Sequence, residues 1–376
     1  MVDQSTLSEN IRRYMKLRDM TVPSLAQAAG ISSTTLSNCL NDKSDPRISI
    51  IQKIADALDV TMAKLFTEKP SFENFRLRSL YALTAKEKAC RENLLFSTYD
   101  KIQEYLNVER FAEKENEFVF SNVIFDDPIE SAHVVRERLG ISQNDAILDI
   151  CELISKLGVK FFHFDFNYSK TYGASVSAND GGPAIILNSS IPSVERKIFT
   201  IAHELGHILL HKDSFKSSET IEKKNSKEEN EANLFAGELL CPQDVVFENV
   251  KDTRGFSFID AVLRLKQQYR VSYGTVLHQY CNKYGISENY SDVTKKFQAM
   301  YANKNKVSFK GHYEPFALSE TLYQFEDPFF RDIVVMLCIN EKIPSAKAAE
   351  LLNWKKTALE DWCKKIGGPS EQSRPF

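Results

Sequence analysis

The chain has 376 residues, which is long enough for two or three domains with their own hydrophobic cores. Hydrophobic residues make up 43% and charged residues 26% of it, as in ordinary globular proteins. The formal net charge of -3 excludes nucleic-acid binding through bulk positive charge, so a DNA contact would need a local basic patch. Seven scattered cysteines without a C-x-x-C pair, no signal-peptide core and no run of ~18 apolar residues together predict a soluble cytoplasmic protein.

The N-terminal segment, residues 7–67, predicts five short helices, because apolar side chains recur in it at helical spacing. Ser24 begins a short helical segment that Gly30 ends, and Ser32 or Ser33 begins the next one. Two short helices joined by a turn that contains glycine have the spacing of a helix-turn-helix.

The segments that follow are predicted to be a linker, helices and strands. Residues 68–83 indicate a linker, and residues 84–116 a long charged helix capped by Thr84, which suits a bridge between domains as well as a homodimer contact. The later predicted elements are a helix at 145–157, strands at 159–166, 172–178 and 184–188, helices at 192–211, 227–240 and 257–284, and a helical tail at 315–365. The first and last helical segments share an A-x-x-A-like pattern that is too weak to define an internal repeat.

These elements predict a mainly α protein with a small β-sheet, in four parts. The parts are a helix-turn-helix domain at 1–68, a helical linker at 69–127, a metal-binding domain at 128–284 and a helical C-terminal region of unknown role at 285–376.

The segment IFTIAHELGHILLH contains the pattern H-E-x-x-H. Four residues of a helix advance ~400°, so His203 and His207 share one face, ~6 Å apart along the axis. This arrangement presents two imidazoles to one tetrahedral zinc ion, with Glu204 beside them as the general base that activates water. The alternative is a pair of hydrogen-bonded histidines on an ordinary helix.

A catalytic zinc needs a third protein ligand, and three candidates are open. Asp213 lies where one peptidase class has its third ligand, but that class breaks the helix with a glycine where this chain has Leu210. His211 continues the four-residue spacing, although three ligands from one straight helix cannot surround a metal. The third candidate is an acidic residue of the next helix, EENEANLFAGELL.

The apolar face of that next helix narrows the choice of carboxylate. Glu228 and Glu229 lie near its buried edge, whereas Glu231 turns away. A carboxylate on an apolar face is costly to bury unless it is paired or bound to a metal. The helical wheel therefore excludes Glu231 but does not separate Glu228 from Glu229.

These motifs resemble the ImmA/IrrE family of metallopeptidases. AIILN, then RKIFT with HELGH, then ENEANLFAGELLCP follow one another in the family's order, over roughly residues 145–280. The resemblance implies a zincin-like α+β peptidase fold and names Glu229 as the third ligand, the first Glu of the family's E-x-x-A-N motif. Cys241 stands where the family often has methionine, a difference that concerns packing.

The strand AIILN carries a second interpretation, because an edge strand beside a catalytic helix commonly binds substrate by strand addition. On that interpretation the substrate-binding residues are Ile185, Ile186, Leu187 and Asn188. A plain core strand is the equal alternative. The residue that would stabilise the oxyanion stays open among His163, Tyr172 and His278.

Residues 7–67 resemble the Cro/C1-type (XRE) helix-turn-helix over the whole five-helix unit. The resemblance implies DNA contacts by Ser32, Ser33, Thr34, Thr35 and Asn38, with Ser37 close by. The recognition helix has no Arg or Lys, so phosphate contacts would come from neighbours, namely Lys43, Arg47, Arg12, Arg13 and Lys16. A protein-docking module of the same fold is the alternative.

Two functions follow from these resemblances. The first is a DNA-binding regulator with a zinc endopeptidase that cleaves a partner repressor or toxin-antitoxin protein in a prophage, stress or mobile-element switch. The second is a non-proteolytic repressor or antitoxin whose zinc domain senses or docks. An intact Glu204 favours the first function, because a structural zinc site does not need that base. Operator DNA and a protein substrate are the expected partners, and no membrane is expected.

Overall fold

The computed structural model describes residues 4–67, 75–77, 85–166, 171–212, 226–251, 257–309 and 313–367. Its N-terminal unit consists of five helices, as predicted. They are α1 (Gln4–Leu17), α2 (Val22–Ala28), α3 (Ser33–Leu40), α4 (Ile48–Ala57) and α5 (Met62–Leu65). The true cap of α2 is Thr21, whose side chain accepts from the backbone of Ser24, so the helix begins two residues before Ser24. Ser32 caps α3 by accepting from the backbone N–H of Thr35.

A long helix, α6 (Ala85–Ala112), connects this unit to the rest of the chain. The predicted cap Thr84 lies outside the described residues. On one side α6 packs against α1, where the Arg13 guanidinium lies 3.5 Å from the centre of the Phe96 ring. Leu94, Ile102 and Tyr105 of α6 are buried against strands of the sheet. The helix therefore bridges two units within the chain.

The sheet has four strands in the order β1-β3-β4-β2. The strands are β1 (Phe75–Leu77), β2 (Lys160–Phe164), β3 (Gly173–Val176) and β4 (Ala184–Asn188). Strand β1 lies within the predicted linker and pairs antiparallel with β3. Strand β4 pairs antiparallel with β3 and parallel with β2.

The position of β4 corrects one prediction. Because β4 is hydrogen-bonded on both sides and all its residues are buried, it has no free edge to which a peptide could add. The interpretation of Ile185, Ile186, Leu187 and Asn188 as a substrate-binding edge strand is therefore wrong, and AIILN is a core strand.

Helices surround the sheet and build the main core. They are α7 (Pro128–Arg138), α8 (Ile150–Lys156), α9 (Val194–Leu210), α10 (Ser226–Leu240), α11 (Gln243–Lys251), α12 (Phe258–Tyr269), α13 (Tyr273–Tyr284) and α14 (Tyr290–Asn305). The predicted helix at 257–284 is two helices, because Arg270 adopts a left-handed conformation and Ser272 caps a new helix. The predicted helix at 145–157 begins only at Ile150, after the capping side chain of Asp149.

Three further helices close the chain: α15 (Pro328–Ile339), α16 (Ser345–Leu352) and α17 (Lys356–Gly367). They account for the later part of the predicted helical tail and form a small core of their own. Among the described residues, no helix is long and apolar enough to cross a membrane.

Asp327 attaches this C-terminal unit to the sheet. Its carboxylate caps α15 through Phe330 N (3.1 Å) and accepts from Phe161 N (3.1 Å), an outward-facing amide of the edge strand β2. The Tyr105 hydroxyl of α6 and the Ser155 hydroxyl of α8 also donate to it, at 3.2 and 3.3 Å. Burial raises the pKa of Asp327 even though these donors favour its charged form.

We expect Asp327→Ala to lower the free energy of unfolding by about 3 kcal/mol, because it leaves several buried donors without an acceptor. Asp332→Ala is the matched control, since its carboxylate is exposed and pairs with Arg331 at the surface. That change should cost less than about 1 kcal/mol. Urea unfolding of both variants measures the difference, and equal losses would refute the role given to Asp327.

Candidate metal centre

Helix α9 carries the H-E-x-x-H pattern and is buried along nearly its whole length. The Ser193 side chain caps it by accepting from Arg196 N at 3.2 Å. Ile201, Ala202 and Leu205 are fully buried in the main core, which holds the helix against the sheet. His203, Glu204 and His207 are only 1–3% exposed, so the three polar side chains lie in a low-dielectric setting.

Helix α10 crosses α9 very closely at Gly206. A Cβ atom at Gly206 would lie 3.3 Å from the Ala232 Cα and 3.0 Å from Phe235 Cδ1. A larger residue at 206 would therefore require its neighbours on α10 to move by a few tenths of an ångström. The close crossing brings Glu229, at the start of α10, opposite the two histidines.

The three side chains converge on one point. The Nε2 atoms of His203 and His207 are 3.0 Å apart, and the Glu229 carboxylate oxygens lie 3.6 Å from each of them. A tetrahedral zinc with bonds of 2.0–2.1 Å would separate its ligand atoms by roughly 3.4 Å. The described residues thus contain a buried His-His-Glu group of the size that a metal ion requires.

The other candidate ligands have different places. His211 does not join the group: its Nδ1 lies 2.9 Å from His207 Nδ1, and its Nε2 lies 3.0 Å from Glu231 Oε2. Glu228 is half-buried and is not among the converging side chains, and Asp213 lies outside the described residues.

The contacts of His211 favour one tautomer of His207. When neutral His211 donates its Nε2–H to Glu231, its Nδ1 is an acceptor, and the Nδ1–H of His207 donates to that atom. The Nε2 lone pair of His207 is then directed at the metal position. Sequence reasoning missed this chain of contacts, although the four-residue spacing of His203, His207 and His211 pointed to it.

Glu204 lies beneath strand β3. The Ser175 hydroxyl donates to Glu204 Oε2 at 2.8 Å. Two residues earlier, a Cβ atom at Gly173 would lie 3.1 Å from Glu204 Oε1 and 2.7 Å from Thr200 Cγ2. The small residues of YGASVSA therefore let the strand pass directly over the carboxylate, and neither Ser175 nor Gly173 was predicted as a site residue.

A cavity of about 730 Å³ opens beside His203 and Glu204, within the size range of ligand sites. Aromatic side chains line much of it, namely Tyr172, Phe199, Tyr273, Tyr290, Phe309 and Tyr313. Of the three candidates for oxyanion stabilisation, Tyr172 and His278 line this cavity. His163 is not among its lining residues, and its ring lies 6.2 Å from that of Phe325.

His278 is arranged as a neutral hydrogen-bond donor. The Asn282 amide lies 3.1 Å from its Nδ1 and donates to it, which places the proton on Nε2. Burial lowers the pKa of His278, so the ring stays neutral near pH 7. The ring of Tyr290 supports it edge to face, with 5.2 Å between centroids.

The predicted DNA contacts lie on the outer surface of the N-terminal unit. Ser33, Thr34 and Lys43 are exposed and Asn38 is half-buried. The Ser32 and Thr35 side chains bond to each other at 2.7 Å and so serve the helix cap. Arg13, predicted to reach phosphate, is instead only 4% exposed and packs on Phe96, so that prediction is wrong.

The site resembles that of a metallopeptidase. It combines the two imidazoles of H-E-x-x-H, a carboxylate from the next helix, a second carboxylate beside them and an adjoining cavity. Comparison with protein families agrees: residues 154–280 match the model of the IrrE N-terminal-like domain. Residues 10–71 match the model of the Cro/C1-type helix-turn-helix DNA-binding domain. The chain therefore joins a helix-turn-helix domain to an IrrE N-terminal-like domain, as the resemblances implied. A comparison with curated proteins found no match.

The geometry makes Glu229, and not Glu228, the candidate for the third metal ligand, and zinc binding by variants of each residue can test this assignment. Glu229→Ala should empty the site, because a lost ligand weakens zinc binding by several kcal/mol, beyond the ~10 to 100-fold typical of a supporting carboxylate. Glu228→Ala should keep its metal and is the matched control, one residue away on the same helix. Zinc content of the purified proteins decides. An empty Glu228→Ala protein would move the ligand by one residue, and zinc in both variants would return the choice to Asp213 or His211.

Proposed function

We propose that the IrrE N-terminal-like domain is a zinc-dependent endopeptidase and that the N-terminal domain binds operator DNA. The observation that carries the first part is the convergence of His203, His207 and Glu229 within 4.8 Å of one another, with Glu204 adjacent. A donor set of two imidazole nitrogens and one carboxylate oxygen favours zinc over harder cations, which prefer all-oxygen sites.

His203, His207 and Glu229 would hold the zinc ion, which when bound supplies Lewis-acid polarisation of the scissile carbonyl. Glu204 takes a proton from the attacking water and delivers it to the leaving amine. The Ser175 hydroxyl, 2.8 Å from Glu204 Oε2, orients this carboxylate. His278 donates its Nε2–H to the carbonyl oxygen as negative charge develops on it.

The substrate that fits this proposal is a protein segment. The aromatic lining of the cavity offers apolar surface for peptide side chains, and its position beside Glu204 places a peptide bond near the proposed base. The fusion to a helix-turn-helix domain supports a regulatory substrate, such as a partner repressor or a toxin-antitoxin protein, in a stress or prophage switch. A non-proteolytic regulator whose zinc domain only docks a partner is the competing function.

Glu204→Gln discriminates between these functions. It should retain zinc, because residue 204 is not a ligand, and lose peptide cleavage by about 10²- to 10⁴-fold, the usual contribution of a general acid-base. Glu137→Gln, on the exposed face of α7, is the matched control and should cleave normally. Mass spectrometry of a peptide library incubated with each zinc-loaded full chain provides the readout. Cleavage by the wild type that survives in Glu204→Gln, or no cleavage by any protein, contradicts the peptidase proposal.

The DNA-binding part has its own test. The full chain should footprint a palindrome, expected upstream of its own gene, with affinity that falls as salt rises. Thr34→Ala with Asn38→Ala should reduce the preference for that site over random DNA, because these side chains face outward from α3 and would contact base edges. Gln52→Ala on α4 is the control. No preference over random DNA at low salt would favour a protein-docking role for this domain.

A further inference from the structure

Part of the cavity wall comes from residues outside the IrrE N-terminal-like match, which ends at residue 280. These residues are Tyr290, Gln298, Phe309, Tyr313 and Glu314. The last three belong to the segment that follows α14. Glu314 is the charged member of the set, so its contacts decide which charge this part of the cavity attracts.

The Glu314 carboxylate is held by two contacts on one of its oxygens. The backbone N–H of Tyr273, at the start of α13, donates to Oε1 at 2.9 Å. The Lys266 ammonium lies 3.3 Å from the same oxygen. The Glu314 side chain is 14% exposed where it lines the cavity, so Oε2 can accept a further bond there.

The charges around Glu314 leave one negative charge in excess. Lys266 is only 1% exposed and also binds Glu195 Oε1, at 2.8 Å. Two carboxylates thus share one ammonium group. Burial raises the pKa of Glu314, the charge of Lys266 lowers it and the charge of Glu195 raises it again. A second cation from the cavity would balance this group.

Aromatic rings stand beside the carboxylate. Tyr273, Phe309 and Tyr313 all line the cavity. The ring of Phe309 packs edge to face against both neighbours, with centroids 5.8 Å from Tyr273 and 5.0 Å from Tyr313. Aromatic faces next to a carboxylate attract ammonium and guanidinium groups and also pack on their methylene stems.

We propose that Glu314 selects protein segments with a lysine or arginine side chain near the scissile bond, an inference that rests on the peptidase function proposed above. The cationic group binds Oε2 of Glu314, while the stem of the side chain lies against the aromatic rings. The segment after α14 thereby provides substrate selection for a catalytic centre built on α9 and α10.

Two helices indicate how far this carboxylate lies from the catalytic groups. Glu195, linked to Glu314 through a shared lysine, lies eight residues before His203 on α9, a rise of ~12 Å. Tyr273, whose amide donates to Glu314, lies five residues before His278 on α13, a rise of ~7.5 Å. Because an extended peptide advances about 3.3 Å per residue, the basic side chain should lie roughly two to four residues from the scissile bond.

Arg196 provides the opposite charge elsewhere on the cavity wall and would favour an acidic substrate. Its side chain is exposed, and its guanidinium lies 5.0 Å from the centre of the Tyr172 ring. Solvent screens an exposed charge far more than one that is mostly buried. The charge of Glu314 therefore acts more strongly on a bound peptide than that of Arg196.

The test is the binding of capped heptapeptides to the zinc-loaded full chain carrying Glu204→Gln, followed by isothermal titration calorimetry. The peptides contain alanine and leucine and one scanned position that holds lysine, neutral norleucine or glutamate. Capping of both ends makes the lysine side chain the only cation. At the best position lysine should bind about 10-fold more tightly than norleucine, the usual effect of one hydrogen bond to a charged group.

Glu314→Gln in the same background should abolish the preference for lysine. The amide keeps an oxygen for the Tyr273 N–H but has no charge, so the norleucine peptide should bind as before. Glu320→Gln is the matched control, because this exposed carboxylate of the same segment pairs with Lys197 and is not among the lining residues. It should keep the preference.

Several results would overturn the assignment. If Glu314 only supports the fold, its replacement weakens the lysine and norleucine peptides equally. Equal binding of these two peptides by the chain with native Glu314 would also refute it, and this comparison does not depend on the folding of a Glu314 variant. A preference for the glutamate peptide would assign selection to Arg196 instead.

Cleavage of the same peptides by the chain with native Glu204 is measured separately. A lysine preference in binding without any cleavage would support the role of Glu314 and contradict the peptidase proposal. Cleavage without a lysine preference would contradict the role of Glu314 alone.

Discussion

The close crossing of α9 and α10 at Gly206 is the constraint on which the candidate metal centre depends. A Cβ atom at this position would lie 3.3 Å from the Ala232 Cα, so a residue larger than glycine would require a shift of a few tenths of an ångström. The separation of the two helices then sets the 3.6 Å distances from Glu229 to both histidines. A carboxylate this deeply buried is costly unless a positive charge compensates it, so the same packing that creates the site also creates its demand for a cation.

Hydrogen bonds from residues other than the three ligands orient the side chains of the candidate site. Glu231 and His211 set the proton position on His207, while Ser175 holds Glu204 in place under β3. Ligands that are oriented in this way lose little entropy when a metal binds. Glu231 thus turns away from the metal position, as the helical wheel indicated, yet it acts on the site through His211.

The sequence was most informative for features that depend on the geometry of a single helix. Four-residue spacing alone put His203 and His207 on one face, and the predicted serine cap located the start of α3 to within a residue. Glu229 and Glu228 could not be separated physically, because their difference depends on how two helices cross. The continuous apolar run of AIILN, without alternation, is itself typical of a strand buried on both faces, so the core-strand alternative had the better physical support. The break at Arg270 was also readable, since Ser272 and Thr275 form a capping pair.

Strand β1 could not be predicted from the sequence for a different reason. A three-residue strand carries no periodicity, and its existence depends on pairing with β3, a partner about a hundred residues away.

Helix α6 gives the N-terminal helix-turn-helix unit and the C-terminal helices a fixed geometric relationship. Its 28 residues span ~42 Å. It contacts α1 at Phe96, packs on the sheet through Leu94, Ile102 and Tyr105, and also contacts α15. Buried attachments secure both ends of this arrangement: Arg13 against Phe96, and Asp327 with Tyr105. Because α1 and α15 both pack on this one helix, the distance between the N-terminal helix-turn-helix unit and the C-terminal helices is a property of the fold. An operator bound by the N-terminal unit would therefore lie at a set distance from the proposed catalytic domain.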